Sequence, residues 1–597
     1  MKDKVKLFRI LALVCALALI GAACGDSGSS QQADDTEQQR GETESPVIGG
    51  TDAQPGGTMR WASIGDVDYM DPGQAYTVTF FSYVARGTLR TLISYPNTPN
   101  LEEQPTSVPD LATELGKPNA DSTQWTYTIK DGVKFGPAIG GKNVPGVTGE
   151  EITSADIKYA VERLFIPSVG AGYALYYEDI EGVEEFKSGK ADDISGIETP
   201  DDKTIVFNLS SPIGDWDYRM SMPATSPVPK DFASKFDQEK DSDYDSNVVA
   251  SGPYYIDSYT PQEDVHMVRN EEWDPDTDDI REAYVDEIEW KQGFENAVCV
   301  EKVLSNDYDT AVDCEPEGPQ LKEIVGSEDY SSRFFNLPIA CTSYLFMNST
   351  VEPFTDEKVR QAINYAVDKE NLRKLAGGSF IGDHASSVLP PGMDGHLPTA
   401  DYNPFPTPGN AGDPEKAKEM LKGTAAEGGW DEKLLLVGDA AGAGPKQLES
   451  LRADLEAIGF DNLEIKELNY PDYYTQFYGV PRSNTALGFA AWCEDYPGPV
   501  TFLKPLLYGP NILPQGNSNY SELDDPEVNA AIEEAESLPT EEAVAAWEEA
   551  NKLATEAAAW VPLRWFLDRD LGSTNLVNGY WHSYYSAIDW PNIGVKQ

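Results

Sequence analysis

The chain has 597 residues, and 45 lysine and arginine residues stand against 101 aspartate and glutamate residues, so its formal net charge is −56. This length exceeds what one compact core holds, and we expect two or more lobes. The acidity argues against nucleic acid as a partner, because phosphate backbones are bound by basic surfaces. Only four histidines are present, which leaves little material for a histidine-rich metal centre.

The first 23 residues are typical of a secretion signal. Basic residues precede the apolar run 10–23, which as a helix would reach only about 21 Å, short of the roughly 30 Å hydrocarbon core of a membrane. An uncleaved membrane anchor is therefore the weaker interpretation. The small residues before Cys24 resemble a bacterial lipobox, although Gly21 stands where a large apolar residue is usual.

These features predict a lipoprotein held on the outer face of the cell membrane. We predict a signal peptide over residues 1–23, a lipidated Cys24 and a disordered tether over residues 24–58. The tether is rich in polar residues and has almost no large apolar residue, so it cannot bury enough surface to order itself. Later in the sequence, no run is long and apolar enough to span a bilayer.

Strand and helix patterns alternate along the rest of the chain. Period-two alternation indicates strands, and apolar residues at helical spacing after a capping residue indicate helices. In chain order, the patterns predict a strand over 125–129, a helix capped by Thr153 or Ser154, strands over 205–207 and 265–268, a helix capped by Thr355, a strand–helix–strand unit over 434–465, and a helix from Thr540 to near Trp560. Such a mixture predicts a multi-lobed α/β or α+β protein.

Four cysteines remain outside the predicted signal and lipidation site, namely Cys299, Cys314, Cys341 and Cys493. An even number in an exported protein predicts two disulfides, and the residues alone allow three pairings. A 299–314 pair would close a loop of about 15 residues, worth about 3 kcal/mol in the chain-entropy model. A zinc site is the alternative, but no CxxC motif or histidine pair stands near these positions.

Motifs for catalysis or metal binding fail on inspection. The glycine-rich stretch 136–142 ends in lysine like a phosphate-binding loop, but Asn143 follows where serine or threonine is needed. The acidic stretch from Asp274 starts like a calcium loop, but Asp279 and Val285 replace the required glycine and glutamate. The sequence therefore predicts a binding protein rather than an enzyme, with no cofactor and no metal.

Several segments match one known family in that family's order, at 71–72, 125–135, 152–157, 251–254, 269–273 and 353–363. On these segments the chain resembles the extracytoplasmic solute-binding proteins of peptide ABC importers, the oligopeptide- and dipeptide-binding group. The resemblance runs from about Met59 to the C-terminus.

The resemblance implies an α/β fold of the class II, two-lobed periplasmic-binding-protein type, with an extra inserted domain and a ligand cleft between the lobes. Lobe I would combine residues 59–94, 246–340 and 562–597, the inserted domain would cover 95–245, and lobe II would cover 341–561. A chain that crosses between lobes more than once forms a hinge, and closure would trap the solute.

The resemblance also implies a ligand site at the segment Ala-Trp-Cys-Glu-Asp-Tyr-Pro, residues 491–497. Asp495 would accept the α-ammonium of a bound peptide, Trp492 would line a side-chain pocket, and Glu494 would be a solvated neighbour. The alternative for Asp495 is a surface residue in the turn before Pro497. The resemblance further implies that Cys341 pairs with Cys493, which leaves Cys299 with Cys314.

Two further matches involve aromatic residues. The predicted strand 75–78, which contains Tyr76 and Val78, would pair with the peptide backbone in the manner of β-augmentation. Tyr76 stands where the family often has an acidic residue. Tyr173 aligns with a ligand-facing tyrosine of the family, and the alternative is a core or surface aromatic residue.

The resemblance therefore predicts a lipid-anchored, monomeric receptor that captures oligopeptides and delivers them to the permease subunits of an ABC importer. Three alternatives stay open: the same fold binding a metal chelate, haem, sugar or opine; a peptide-pheromone receptor; and, least favoured, an exported hydrolase. The negative charge is spread along the chain, which predicts a soluble surface and a mild attraction for cationic peptides.

Overall fold

Three sheets form the framework of the protein in the computed structural model, which describes residues 43–238, 240–469 and 472–597. The predicted signal peptide and Cys24 lie outside the described residues. Within the described ranges, the helices are too short or too polar for any of them to cross a bilayer.

The five-stranded sheet is built around the strand Thr58–Ser63. This strand pairs in parallel with Glu287–Lys291 and Thr310–Val312, and antiparallel pairing adds Asp264–Arg269 and then Tyr254–Thr260. The strand predicted over 265–268 is thereby confirmed. Trp61, in the strand Thr58–Ser63, is fully buried. Its ring centroid lies 5.7 Å from that of Trp290 and 5.1 Å from that of Trp590. Aromatic packing therefore joins the first strand to the end of the chain.

The four-stranded sheet is antiparallel and has the order Lys117–Pro118, Gln124–Thr128, Thr204–Asn208 and Ile197–Asp201. It confirms the strands predicted near 125–129 and 205–207. The predicted helix near Thr153 is also confirmed and spans Ser154–Arg163. The Asp156 carboxylate accepts a hydrogen bond of 2.8 Å from the Thr153 amide, which satisfies one of the unpaired donors at the start of the helix.

The six-stranded sheet is mixed and has the order Gly382–His384, Trp560–Leu567, Pro338–Met347, Leu487–Cys493, Leu434–Asp439 and Leu463–Leu468. Its long central strand, Pro338–Met347, is antiparallel to both neighbours. The predicted strand–helix–strand unit is confirmed, with the helix Gly444–Glu456 between two parallel strands. Leu448, Leu451 and Leu455 of that helix are fully buried, because their spacing puts them on one face.

The remaining elements connect these sheets. Short antiparallel pairs are Ile93–Ser94 with Val108–Pro109, Phe334–Phe335 with Asp570–Leu571, Leu576–Val577 with Gly594–Val595, and Trp581–His582 with Ala587–Ile588. The longer remaining helices are Asn296–Leu304, Gly318–Val325, Glu357–Ala366, Lys369–Ala376, Pro414–Met420, Val500–Leu507, Pro526–Ser537 and Thr540–Glu556.

Two predicted helix boundaries shift in the structure. Asp356, not Thr355, caps the helix Glu357–Ala366, because its carboxylate accepts a 2.9 Å hydrogen bond from the Lys358 amide. The helix that begins at Thr540 ends at Glu556 rather than near Trp560. Ala558 has a left-handed φ of 54°, which stops the helix before the next strand.

The structure also differs from the predicted tether over its last part. Residues 43–57 lie against the body instead of extending from it. The Ser45 amide donates to the Pro99 carbonyl at 2.7 Å, and the Ile48 amide donates to the Gly579 carbonyl at 2.7 Å. Ile48 and Ala53 are buried, so this segment makes apolar contacts that a wholly polar tether lacks.

Buried arginine–carboxylate pairs join segments that are far apart in the sequence. Arg163 makes two parallel hydrogen bonds to Asp71, of 2.9 and 2.7 Å, and a third of 2.8 Å to Asp237. Arg86 makes a similar bidentate pair with Asp589. All of these side chains are almost completely buried. A fork-like guanidinium satisfies both carboxylate oxygens at once, so the buried charges leave little unmet hydrogen-bonding capacity.

Removing one partner of the Arg163 network should be costly. We expect Asp71→Ala to lower the free energy of unfolding by about 3–5 kcal/mol, because it leaves a buried guanidinium without its main partner. The control is Glu184→Ala, which breaks an exposed pair with Lys187 and should cost about 1 kcal/mol or less. Chemical unfolding measures both changes, and equal losses in the two variants would contradict the structural role of the buried pair.

Candidate functional site

A cavity of about 160 Å³ lies where the parts of the chain meet, and we call it the Asp495 cavity. It is lined by Tyr76, Val78, Phe81, Tyr173, Ala491, Trp492, Cys493, Glu494, Asp495 and Tyr584. These residues come from the segment after the first strand, from the segment after the helix Ser154–Arg163, from the end of the strand Leu487–Cys493 and from the last part of the chain. The structure thus brings together all five residues that the sequence predicts as ligand contacts.

Strand pairing positions the central segment of the cavity. The strand Leu487–Cys493 lies beside Pro338–Met347, with Cys493 opposite Cys341 and Trp492 opposite Thr342. A disulfide joins Cys341 to Cys493, whose Cα atoms are 4.0 Å apart, and a second joins Cys299 to Cys314. With all four of these cysteines in disulfides, none of them is a thiolate that could bind zinc, which was the alternative. Asp495 therefore extends from a cross-linked strand end in the middle of a sheet.

The Asp495 side chain is only 8% exposed. Its Oδ2 accepts a short hydrogen bond from the Tyr176 hydroxyl, and its backbone carbonyl accepts a 3.2 Å hydrogen bond from the Tyr584 hydroxyl. Within the described ranges, no lysine, arginine or histidine forms an ion pair with it. A buried carboxylate in this setting has neutral hydrogen-bond donors but no counter-charge, which is costly in its ionised form.

Burial raises the pKa of Asp495 to about 7, although the Tyr176 hydrogen bond acts in the opposite direction. Burial and the nearby Asp495 charge together raise the pKa of Glu494 to about 8. The pKa values of the two adjacent carboxyl groups therefore lie close to neutral pH. A cation in the cavity would lower both values and favour the ionised forms.

Glu494 differs from the expected solvated neighbour. It is half-buried and lines both the Asp495 cavity and a second cavity beside it. Its amide donates to the Ala340 carbonyl at 3.0 Å, which continues the strand pairing by one residue. In the part of the chain that the structure describes, its carboxylate has no hydrogen-bond partner. The sheet holds the backbone of Glu494 in place, and its carboxylate borders open space.

Aromatic rings form much of the remaining wall of the Asp495 cavity. Tyr76 stacks on Tyr173, with ring centroids 4.6 Å apart and planes inclined by 17°, and the Tyr173 hydroxyl donates to the Tyr76 carbonyl at 3.0 Å. Tyr173 is buried. The Trp492 indole nitrogen donates to the Thr501 carbonyl at 2.9 Å, so the orientation of its ring is fixed. These rings offer a rigid apolar surface beside the two carboxyl groups.

The predicted strand 75–78 does not form. Residues 75–77 belong to no strand, and a helical turn starts at Val78. The Asp68 carboxylate accepts hydrogen bonds from the Tyr76 amide at 2.6 Å and from the Thr77 hydroxyl at 2.8 Å. In this structure the Tyr76 amide is taken by Asp68, and its carbonyl accepts a hydrogen bond from the Tyr173 hydroxyl. Tyr76 and Val78, each 45% exposed, contribute side chains to the cavity wall.

Two contacts of Asp495 were not predicted. Tyr176 follows Tyr173 by three residues, and this spacing puts both rings on one side of the helical turn Ala174–Tyr177. That spacing was a signal available in the sequence. Tyr584 lies far from every other lining residue in the sequence, and only the tertiary fold brings it to the cavity.

An ion network links Asp215 and the helical turn Trp216–Arg219 to the helix Pro526–Ser537. Arg219 donates to Asp215 at 2.9 Å and to Glu536 at 2.8 Å, and Lys504 donates to Glu536 at 2.6 Å. The Tyr496 hydroxyl, next to Asp495, donates to Asp215 at 2.8 Å. Burial opposes ionisation of Glu536, but Arg219 and Lys504 hold its pKa below its ordinary value. The network joins residues 215–219 to the helices Val500–Leu507 and Pro526–Ser537 beside the Asp495 cavity.

Comparison with known proteins identifies the family. The model of the bacterial extracellular solute-binding proteins, family 5, middle region, matches residues 106–513. The chain belongs to this family. Family 5 proteins have the class II periplasmic-binding-protein architecture that the sequence predicts, with mixed α/β lobes around a cleft.

Individual relatives of this family 5 protein bear different names. The periplasmic oligopeptide-binding protein OppA of Salmonella typhimurium is 24% identical over 398 residues, which are 65% of this chain and 67% of that protein. Heme-binding protein A of Haemophilus influenzae is 24% identical over 457 residues, which are 74% of this chain and 76% of that protein. The solved structure of clavulanic acid biosynthesis oligopeptide binding protein 2 is 27% identical in sequence and superposes with a TM-score of 0.83. The match covers 93% of this chain and 99% of the chain of that protein.

The raised pKa of Asp495 predicts a pH-dependent stability. The folded-state pKa of Asp495, about 7, lies above its ordinary value of 3.8. Its contribution to the free energy of unfolding is therefore fully present below pH 3.8 and is lost as the pH rises through 7. Between pH 5 and 7, the free energy of unfolding should fall more steeply in the native protein than in Asp495→Asn, by up to about 1.4 kcal/mol per pH unit. Urea unfolding at several pH values measures this difference, and parallel profiles would refute it.

Proposed function

We propose that this protein is the substrate-binding component of an ABC importer, that it captures oligopeptides in the Asp495 cavity and the adjoining cleft, and that it delivers them to the membrane permease. It works as a monomer on the outer face of the cell membrane, held there by a lipid on Cys24. The observation that carries the proposal is the buried Asp495 carboxylate, which has no cationic partner among the described residues.

A peptide ammonium supplies what this carboxylate lacks. An ammonium offers three donors and a positive charge, and enclosing both charges together costs far less than enclosing the carboxylate alone. The ligand then stabilises the closed arrangement of the lobes relative to the open one, because the ion pair is fully formed only on closure. Trp492, Tyr76 and Tyr173 provide apolar surface for a neighbouring side chain.

The site favours a peptide over the haem named in one relative. Haem carries two carboxylates, which would meet the carboxyl groups of Glu494 and Asp495 in a confined space. Histidine, the most common axial ligand of haem iron, is absent from the residues that line the Asp495 cavity and the second cavity beside it.

Replacing Asp495 tests the ammonium assignment. We expect Asp495→Asn to weaken the binding of peptides with a free N-terminus about 30-fold or more, because truncating one partner of a buried charge pair costs about 2–5 kcal/mol. Calorimetric titration with a peptide and its N-acetylated form, on both proteins, isolates the interaction. The native protein should discriminate strongly against the acetylated form, and the variant should not.

The control variant is Asp461→Asn, an exposed position at the far edge of the six-stranded sheet, which should bind as the native protein does. Retention of full affinity by Asp495→Asn would show that the ammonium is held elsewhere. Mass spectrometry of peptides after incubation checks the absence of chemistry, since a receptor returns them intact and a hydrolase does not.

A further inference from the structure

A second cavity, of about 210 Å³, shares Val78, Cys493, Glu494 and Tyr584 with the Asp495 cavity. We call it the acidic cavity, because five carboxylate residues line it: Asp313, Glu315, Glu494, Asp568 and Asp570. One basic residue, Arg569, also lines it and pairs with Glu315. Arg564 lies close enough to interact with Glu315 as well. With both arginines counted, the carboxyl groups still outnumber the basic groups by five to two.

These carboxyl groups are held by neutral donors. The Thr79 hydroxyl donates to Asp313 at 2.5 Å, and the Trp581 indole nitrogen donates to Asp568 at 2.6 Å. Hydrogen bonds of this kind fix the direction of a carboxylate but do not neutralise its charge. The hydrogen bonds therefore fix the positions of the Asp313 and Asp568 carboxyl groups without neutralising their charges.

Asp570 adds a second observation at this cavity. Its side chain is only 6% exposed, and one oxygen accepts a 2.6 Å hydrogen bond from the Leu571 amide. The other oxygen, Oδ2, is buried and makes no well-formed hydrogen bond among the described residues, although the Ile588 amide lies near enough to favour the ionised carboxylate. A buried acceptor without a donor is costly, and native proteins rarely keep one without a function.

The arrangement suits an organic cation better than a metal ion. Across the described ranges, the acidic side chains do not converge into a set that could hold a metal ion. Carboxylates that are spread over a cavity wall match a large planar cation with several donors. A guanidinium has five N–H donors in a fixed fork, and a lysine ammonium has three.

Two of these carboxyl groups have raised pKa values. Burial, with the charge of Glu315, raises the pKa of Asp568 to about 7. Burial, with the charge of Asp568, raises that of Asp570 well above its ordinary value. A cation bound among these groups would favour their ionised forms.

We propose that the acidic cavity takes the side chain of an arginine or lysine at one of the first two residues of the bound peptide, so that the receptor selects peptides with a basic N-terminal region. Glu494 lines both cavities and directly precedes Asp495, which places the cationic side chain close to the ammonium. This inference rests on the proposed function of the Asp495 cavity.

The test compares tetrapeptides that differ in one group. The first two positions carry in turn arginine, citrulline and alanine on an otherwise alanine background, and each peptide is titrated calorimetrically. Citrulline has nearly the shape of arginine without its charge. We expect the arginine peptide to bind native protein at least about 10-fold more tightly than the citrulline peptide, as fits a charge-assisted contact in a buried site.

Two variants locate the effect. Asp570→Asn and Glu494→Gln should each reduce the arginine-to-citrulline ratio to about threefold or less, since each removes one charge from the cavity. Glu494→Gln keeps the test valid if Asp570→Asn fails to fold. The exposed control Asp461→Asn should keep the native ratio.

The outcomes separate this inference from the proposed function. If the alanine peptide binds and depends on Asp495 but arginine and citrulline peptides bind equally, the acidic cavity does not select cations and only this inference fails. An arginine preference that survives both variants would place the cationic site elsewhere and also overturn it. If no peptide binds at all, the proposed function and this inference fail together.

Discussion

The pairing of buried charge governs how this strongly acidic chain folds and where it can bind. In the framework, Asp71 and Asp589 each meet an arginine through two parallel hydrogen bonds, so burial of their charges is compensated. The buried Asp495 and Asp570 and the half-buried Glu494 have no arginine partner of this kind among the described residues. A cationic solute would compensate their charges as arginine does in the framework.

Closure of the cleft depends on contacts of both kinds. The network of Arg219, Glu536 and Lys504 joins the sides of the cleft through charges that are already balanced, so it needs no ligand. The enclosed carboxyl groups oppose the same closure unless they hold protons or a cation. The balance between these two sets decides how much the lobes gain by closing over a solute, which is the free energy that a binding protein of this type uses for capture.

Local patterns predicted the secondary structure well where a single rule applies. The strand at Gln124–Thr128 follows from period-two alternation, and the helix Gly444–Glu456 follows from its leucine spacing. The strand predicted over 75–78 failed although its residues favour strands, because a carboxylate eight residues earlier binds the Tyr76 amide. Side-chain competition for a backbone donor of that kind is invisible to propensity.

The site was predictable only in part. Asp495 was found because it lies in a short motif together with its tryptophan and cysteine neighbours. The acidic cavity could not be found in this way, since Asp313 and Asp570 come from distant segments and look like any of the chain's 101 acidic residues. Only the fold distinguishes a carboxylate that is exposed to water from one that lines a cavity together with other carboxylates.

The origin of the cavity wall has a consequence for the timing of biosynthesis. Tyr76 is among the first folded residues to be made, and Tyr584, whose hydroxyl holds the Asp495 backbone, is the last of the lining residues. A nascent chain that has not yet reached residue 584 lacks one wall of the Asp495 cavity. The Asp495 cavity is therefore complete only after synthesis has passed residue 584, which makes the cavity a late product of translation although its first wall residue is made early.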